Sequence, residues 1–181
     1  MSHEIDSLNE KELTIQHSLD GFSYVFVPAA LYQEKNKSQY LDFLGLTDKS
    51  CIVCADYIEL ADIYNVYCTD LKNKGNRHPA SILLENLIMY NLGRTDDPRI
   101  YLNVKDQHFE MFVLNGAKLL FYNTFRFKTK EDFLYFLLFS MEQLKLDPET
   151  VPVYFLGMIT EDSEIAELVT RYVRDIRFKK I

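Results

Sequence analysis

Three cysteines and one histidine are the residues whose types and spacing first suggest chemistry. Cys51 and Cys54 have the C-x-x-C spacing of many zinc and redox sites, and Cys68 and His78 could complete a set of four zinc ligands. The run 51–55 is apolar and typical of a strand, and two residues three apart on a strand point to opposite faces. We therefore expect buried, reduced thiols here, with a zinc or redox centre as the less favoured alternative.

The other potentially reactive side chains lack the spacing that catalysis requires. The serines do not occur in a G-x-S-x-G context, so a serine hydrolase has no support. The histidines have no metal-ligand spacing. The side chains concerned are Ser18, Ser23, Ser140, His3, His17, His78 and His108.

The chain is acidic, because 20 lysines and arginines stand against 27 aspartates and glutamates in 181 residues, a net charge of -7. This balance argues against nucleic acid and anionic membranes as partners, since both need a basic protein surface. Hydrophobic residues make up 48% of the chain, which is enough for a filled core. No apolar run has the length of about 18 residues that spans a bilayer, and the acidic start is unlike a signal peptide. We therefore expect a cytoplasmic protein.

The first half of the chain is predicted to begin with a hairpin. Residues 12–19 alternate in polarity, residues 22–27 form an apolar run, and Asp20-Gly21 between them is typical of a hairpin turn. The elements expected next are a helix over 31–44, strands over 51–55 and 63–68, and a helix from Pro79 to about Leu92.

The second half has clearer patterns. Strands are expected over 100–104, 108–114 and 118–125, and Asn115-Gly116 joins the last two as a hairpin. Thr129 is a good N-cap residue for a densely apolar helix over 130–145. A nearly continuous apolar strand, 151–156, and a last helix, 161–175, complete this half.

The order of these elements predicts the fold. Strand, strand, strand, helix, strand, helix in the second half is the order of a ribonuclease H-like unit, and the first half approximates it. Two such units in tandem make the actin-like ATPase architecture. We therefore predict an α/β fold with mixed sheets, built from two ribonuclease H-like lobes, residues 1–97 and 98–181.

Three segments carry a resemblance to a known family: ELTIQHSLDGFSYVFVP, DYIELADIYNVY and, above all, FEMFVLNGAKLLFYNTFRFKTKEDFLYFLLFSMEQLKLDPETVPVYFLG. They resemble an uncharacterised Bacteroidetes family, a domain of unknown function associated with an actin-like ATPase fold. The shared features are hairpin turns and aromatic strands, and none is a catalytic motif. The resemblance therefore implies a fold and leaves the activity open.

An actin-like fold implies where a nucleotide would bind. In that fold two glycine-bearing hairpins hold the phosphates through backbone N–H groups, an aspartate acts near Mg²⁺, and glycines lie beside adenosine. The corresponding residues are Asp20, Gly21 and Ser23 in the first hairpin, Asp106 in the second, and Gly157 at the adenosine position.

Each of these positions departs from a working nucleotide site. Phe22 is bulky where close approach is needed, the second hairpin has no glycine, and Gly157 is single where a pair is expected. Gln107 and His108 would crowd a phosphate. Structural roles explain the same residues, with Asp20-Gly21 as a hairpin turn, Asp106 as a turn carboxylate and Gly157 as a loop glycine.

A ribonuclease H-type nuclease is another interpretation of this fold. It needs several carboxylates that hold two metal ions about 4 Å apart, for which Asp20, Asp56 and Asp106 could be proposed. The first strand carries Gln16 and Ser18 in place of a central acidic residue, and the chain has no basic stripe. We therefore disfavour a nuclease.

The function that we expect is a non-catalytic binding or scaffold module with a protein partner or a homodimer, and with no cofactor. The alternative is a nucleotide-binding ATPase or small-molecule kinase. It would use ATP and Mg²⁺, with Asp20 and Asp106 near the metal and Gly157 beside adenosine.

Overall fold

The computed structural model describes residues 14–16, 24–42, 51–94 and 97–180, and these residues fall into two compact units, 1–90 and 91–181. Among the described residues, each unit contains one sheet and two helices. The boundary between the units falls one residue before the end of the second helix, at Asn91. The mixed α/β class predicted from the sequence is therefore confirmed.

Unit 1 has a four-stranded antiparallel sheet in the order β1-β2-β4-β3. The strands are β1 (Thr14–Gln16), β2 (Tyr24–Pro28), β3 (Ile52–Ile58) and β4 (Ile63–Thr69). Its helices are α1 (Lys37–Asp42) and α2 (Pro79–Asn91). The pairing of β1 with β2 confirms the first predicted hairpin, whose turn Asp20-Gly21 lies outside the described residues.

The first helix was predicted over 31–44, but it begins only at Lys37, and residues 43 and 44 lie outside the described residues. The backbone of Gln33 is extended, with φ −133° and ψ 118°, and its N–H donates to the Tyr40 hydroxyl at 3.0 Å. The same hydroxyl donates to the Leu31 carbonyl at 2.7 Å. These two bonds hold the segment before α1 in short 3₁₀ turns, which is why helical spacing in the sequence was misleading here.

The expectation of three reduced thiols is wrong, because Cys51 and Cys68 form a disulfide. Antiparallel pairing places Val53 opposite Cys68, so Cys51, the residue just before β3, lies beside β4, with a Cα–Cα distance of 5.5 Å between Cys51 and Cys68. That distance is in the ordinary range for a disulfide. Cys54 remains the free thiol and is half-buried.

Unit 2 has a five-stranded mixed sheet in the order β7-β6-β5-β8-β9. Its strands are β5 (Arg99–Val104), β6 (His108–Asn115), β7 (Lys118–Arg126), β8 (Val153–Gly157) and β9 (Ile176–Phe178). The pairs β5–β8 and β8–β9 are parallel, and the other two pairs are antiparallel. Two helices, α3 (Lys130–Gln143) and α4 (Glu164–Val169), cross between the strands.

Two differences from the sequence prediction concern the end of the chain. The last helix was expected over 161–175, but α4 is only six residues long and begins at Glu164, after the N-cap residue Ser163, whose side chain accepts from the Ala166 N–H. The strand β9 was not predicted at all. It is three residues long and is held by parallel pairing with β8, a contact that leaves no periodic signal in the sequence.

The core of unit 2 lies between the sheet and α3. Phe109, Phe133 and Phe155 are almost fully buried, with ring centroids of Phe109 and Phe133 4.2 Å apart. The predicted cap of α3 is confirmed, because the Thr129 hydroxyl accepts from the Asp132 N–H at 3.1 Å and the Asp132 carboxylate accepts from the Thr129 N–H at 3.1 Å. This capping box satisfies two backbone N–H groups at the start of α3.

Candidate functional site

The parallel pair β5 and β8 brings two predicted site residues to one edge of the unit 2 sheet. Val104, the last residue of β5, pairs with Gly157, the last residue of β8, and Asp106 lies in the loop that leaves β5. In open α/β sheets, ligands bind at the carboxyl ends of such strands. This edge is therefore where a nucleotide site of unit 2 would lie.

Gly157 has a structural reason to be glycine. Its φ is +79°, and a Cβ at this position would lie 2.3 Å from the Val104 carbonyl oxygen and 2.7 Å from the Asn103 side-chain oxygen. The neighbouring Met158 N–H donates to the same Val104 carbonyl at 2.7 Å. The close approach that this glycine permits is thus to β5 of its own unit.

The loop between β5 and β6 is a tight turn with polar, exposed residues. The Lys105 N–H donates to the His108 carbonyl at 2.9 Å, and the Gln107 carbonyl accepts from the Phe127 N–H at 3.1 Å. Asp106 and Gln107 are exposed. None of residues 105–108 has a positive φ, so the turn lacks the alternation of right- and left-handed residues that aims successive N–H groups at an anion.

A buried carboxylate beside this edge was missed by the sequence prediction. Glu110 on β6 is only 7% exposed, and it accepts from the Asn103 amide at 2.7 Å and the Tyr122 hydroxyl at 2.9 Å. The Lys105 ammonium lies 3.5 Å from the same carboxylate. One signal was available, an acidic residue inside the apolar strand HFEMFV. Since both of its oxygens are bonded to protein donors, Glu110 joins β5, β6 and β7 rather than facing a ligand.

A family model for proteins described as "Protein of unknown function (DUF3822)" matches residues 2–176. The chain belongs to this family. The predicted resemblance to a family of unknown function is thereby confirmed. No curated protein matches the DUF3822 chain.

Two solved structures are similar to this DUF3822 chain. One is a Bacteroides thetaiotaomicron protein described as having an actin-like ATPase fold and unknown function, with a TM-score of 0.74 and 14% identity over 86% of this chain and 64% of that one. The other is a PilM-PilN type IV pilus biogenesis complex, with a TM-score of 0.55 and 10% identity over 87% of this chain and 65% of that one. Identities this low indicate a shared fold alone. The chain spans less than two thirds of the length of either structure.

The first predicted phosphate hairpin of the DUF3822 chain cannot be compared with the second. Asp20, Gly21 and Ser23 lie outside the described residues, as does Phe22. Asp106 and Gly157 are therefore the two predicted site residues that the structure describes, and they lie at the same edge of one sheet.

A second polar cluster lies in unit 1 around Asp56 on β3. Its carboxylate accepts from the Tyr67 hydroxyl at 3.1 Å and from the backbone N–H of His78 at 2.7 Å. The Tyr67 hydroxyl also lies 3.0 Å from the Asn76 carbonyl. Burial, followed by the charge of Asp56, raises the pKa of the Tyr67 phenol far above its ordinary value. The phenol therefore stays protonated and acts as a donor.

The Asp56 cluster positions the start of α2. The His78 ring lies between those of Tyr24 and Tyr67, at centroid distances of 4.5 and 4.9 Å, and its Nδ1 accepts from the Ala80 N–H at 3.2 Å. Asp56 and Tyr67 also border a groove of about 520 Å³, along with the Cys54 thiol. Within the described ranges, no group of three or more His, Cys, Asp or Glu is arranged to hold a metal. The Cys51–Cys68 disulfide, moreover, uses two of the thiols that the zinc alternative required.

Proposed function

We propose that this DUF3822 chain is a non-catalytic binding or scaffold module, built from two ribonuclease H-like lobes of the actin-like ATPase architecture. Unit 2 supports the lobe assignment, since an antiparallel trio of strands is followed by helix, parallel strand and helix. Unit 1 supports it only partly, because its described strands pair antiparallel throughout. The limits 1–97 and 98–181 remain a prediction.

The observation that carries the non-catalytic proposal is the shape of the turn after β5. A phosphate held there would need inward-pointing N–H groups, but residues 105–108 include no glycine and no left-handed residue. Gln107 in this turn is exposed, and His108 already belongs to β6. These residues therefore fit Mg²⁺-nucleotide poorly, and we expect no cofactor.

A thermal-shift titration with ATP and ADP, with and without Mg²⁺, tests the proposal. We expect no shift at millimolar nucleotide. A ligand present at 100 times its Kd would add about 2.7 kcal/mol of stability, which is a shift of several degrees. A Mg²⁺-dependent shift that Asp106→Ala abolishes would overturn the proposal. Asp97→Ala is the matched control, because Asp97 is also exposed but precedes β5, at the other edge of the sheet.

The alternative is a nucleotide-binding ATPase or small-molecule kinase, with Asp20 and Asp106 near Mg²⁺ and Gly157 beside adenosine. One observation favours it: Asp106 is exposed at the edge where β5 and β8 end together. The same titration with Asp20→Ala decides whether the first hairpin takes part.

A protein partner is the kind of ligand that the proposal favours over nucleic acid or membrane. The net charge of -7 disfavours nucleic acid, and no described helix is long and apolar enough to cross a bilayer. One solved structure of similar fold is a complex of PilM with PilN. A homodimer is the other form of partner that we predicted.

A cytoplasmic location is the least supported part of the proposal. The Cys51–Cys68 disulfide opposes it, because cytosolic thiols are generally kept reduced. Rapid alkylation of intact cells, followed by mass spectrometry of the chain, measures the thiols directly. Three alkylated cysteines support the cytoplasm, whereas one alkylated cysteine, Cys54, supports an oxidising compartment.

A further inference from the structure

An apolar groove of about 390 Å³ runs between α3 and α4 on the surface of unit 2. From α3 it is lined by Leu134, Tyr135, Leu138 and Phe139, and from the other side by Leu168 and Tyr172. Tyr135 is 60% exposed, Tyr172 51% and Phe139 45%. Three large aromatic side chains are therefore exposed along one groove. Single exposed apolar residues are normal on a protein surface, but a contiguous group of this kind marks an interaction site.

The sequence of α3 produces this surface because the helix has two apolar faces. Phe133, Leu137 and Met141 form the face that is buried against the sheet. The groove residues follow a second stripe, with Leu134 and Tyr135 one helical turn before Leu138 and Phe139. Counted from Glu131, these four residues occupy positions i+3, i+4, i+7 and i+8, which is the spacing that a helix offers to another helix packed along it.

The ends of the groove are negatively charged. Glu131 and Glu142 lie at its two ends on α3, eleven residues apart, which is about 16 Å along a helix. Within the part of the chain that the structure describes, neither carboxylate is in an ion pair. Two nearby cations have other partners, since Lys130 lies 2.8 Å from Glu164 and Arg171 lies 2.8 Å from Glu167.

Glu142 is also in an unfavourable place for the helix itself. It lies in the last turn of α3, where the helix dipole favours cations, and that turn contains no basic residue. A positive side chain from outside would relieve this arrangement. The place of Glu142 in this turn thus indicates a positively charged group on the partner, and this indication does not depend on the apolar stripe.

We propose that the α3–α4 groove binds an amphipathic helix of a partner protein, with an apolar stripe of about three turns and a lysine or arginine at each end. This inference rests on the proposed binding function and names the chemistry of its partner. A second copy fits less well. In a two-fold symmetric pair of α3 helices, antiparallel packing sets Glu131 against Glu142 and parallel packing sets each glutamate against itself, so like charges would meet either way.

Selection from a displayed library of random 18-residue peptides tests the proposal on the full chain. We expect enriched peptides with apolar residues at helical spacing, bordered by lysine or arginine about three turns apart. The best of them is then synthesised and measured by fluorescence anisotropy, next to a scrambled peptide of the same composition. Enrichment of peptides without this pattern, or of none, overturns the proposal.

Substitutions locate the binding surface. Phe139→Asp and Tyr135→Asp should each weaken the selected peptide about tenfold or more, because large central aromatic side chains dominate such interfaces. Leu120→Asp on β7 is the matched control, since Leu120 is 40% exposed on the same unit. Circular dichroism at each step checks that the variants remain folded. Equal binding by Phe139→Asp and the unchanged chain contradicts the proposed surface.

A charge swap tests the ends of the groove. Glu142→Lys should weaken the basic peptide about threefold to tenfold, more at low salt. A peptide in which glutamate replaces only the terminal lysine that meets residue 142 should regain binding to this variant, and the two single replacements, one at each end of the peptide, identify that lysine. Glu59→Lys makes the same charge change in unit 1 and should leave binding unchanged. Failure of the swapped peptide to regain binding overturns the charge argument.

Two further results separate this inference from the proposed function. Concentration-dependent dimers in sedimentation velocity that Phe139→Asp abolishes would assign the groove to a second copy and overturn the proposed partner. A Mg²⁺-nucleotide thermal shift together with peptide binding would overturn the non-catalytic proposal and leave the groove inference intact. If there is neither a thermal shift nor peptide binding, the non-catalytic proposal stays intact and the groove inference is overturned.

Discussion

The two units of the molecule hold their sheets together in different ways. In unit 2 the central strand β5 is buried on both faces, with Ile100, Tyr101 and Leu102 all at 0% exposure. In unit 1 the edge strand β3 is half-buried for most of its length, and the Cys51–Cys68 disulfide joins its start to β4. Unit 2 thus depends on apolar packing, whereas unit 1 adds a covalent bond and a polar cluster.

This difference follows from strand pairing. A parallel pair such as β5 and β8 needs a crossover, and the crossover helix α3 covers one face of the sheet with aromatic side chains. In unit 1 the chain also passes from β2 to β3 across β4, but the described helix of this connection, α1, has only six residues. The strand β3 is a half-buried edge strand, where the Asp56 cluster and the disulfide lie. Changes to the core should therefore act on unit 2, and changes of redox state on unit 1.

The largest expected effect is loss of the core of unit 2 in Phe133→Ala. The ring is fully buried against Phe109 and Phe155, so its removal leaves a cavity and should cost about 3–5 kcal/mol. Amide hydrogen exchange would show reduced protection in β5, β6 and α3. Phe139→Ala, on the exposed face of the same helix, should cost less than about 1 kcal/mol. Similar effects of the two variants would contradict the assignment of two distinct faces.

Reduction of the disulfide should have the next largest effect, and on the other unit. Cys51 and Cys68 are separated by 17 residues, and a disulfide that closes a loop of about this size is worth about 3 kcal/mol. Cys51→Ser or a reducing agent should lower the protection of β3 and β4 and leave β5–β8 unchanged. Cys54→Ser keeps the disulfide and is the control. Equal loss of protection in both units would contradict the difference drawn between them.

Local signals in the sequence predicted most of unit 2. The hairpin predicted at Asn115-Gly116 is present, with Gly116-Ala117 as its two-residue turn, and Thr129 caps α3. Both signals act on residues a few positions away. The same reasoning placed Pro79 in the first turn of α2. Where a residue shapes the backbone only a few positions away, its type alone was sufficient to predict the local structure.

The elements that were missed depend on contacts between distant residues. The disulfide follows from the register of β3 against β4, whereas the C-x-x-C spacing drew attention to the wrong pair. The extended backbone at Gln33 depends on a hydroxyl seven residues away, on Tyr40. At the candidate site, the actin-like fold implied that Asp106 and Gly157 would belong to one nucleotide site, and the structure brings both to one edge of the sheet. The bonds of Glu110 across three strands were not visible in the sequence.

Gly157→Ala sharpens the description of the edge where β5 and β8 end. Its positive φ alone should cost about 1–2 kcal/mol, and the contact of the new Cβ with the Val104 carbonyl adds to this, because a paired backbone cannot move away. Gly93→Ala is the control, since Gly93 has a similar φ of +74° with nothing within 4 Å of a Cβ. Chemical denaturation of the two variants measures the difference. If both lose the same stability, the contact with β5 does not explain the glycine.

The smallest expected effect is the pH dependence of the α3 cap. Hydrogen bonds from the Lys128 and Thr129 N–H groups lower the pKa of the Asp132 carboxyl below its ordinary value. A lowered pKa means that the stabilisation is complete above the ordinary value, near pH 4, and is lost as the pH falls through the folded value. Asp132→Asn should therefore lower the melting temperature at neutral pH and flatten its dependence on pH in the acidic range.

Glu131→Gln is the control for this last effect, because it removes a charge from the same turn of α3 and leaves the capping box in place. Its acid dependence should resemble that of the unchanged chain, whereas that of Asp132→Asn should not. Acid sensitivity that persists in Asp132→Asn would mean that other carboxylates control it. In that case the capping box would stabilise α3 without setting its response to acid.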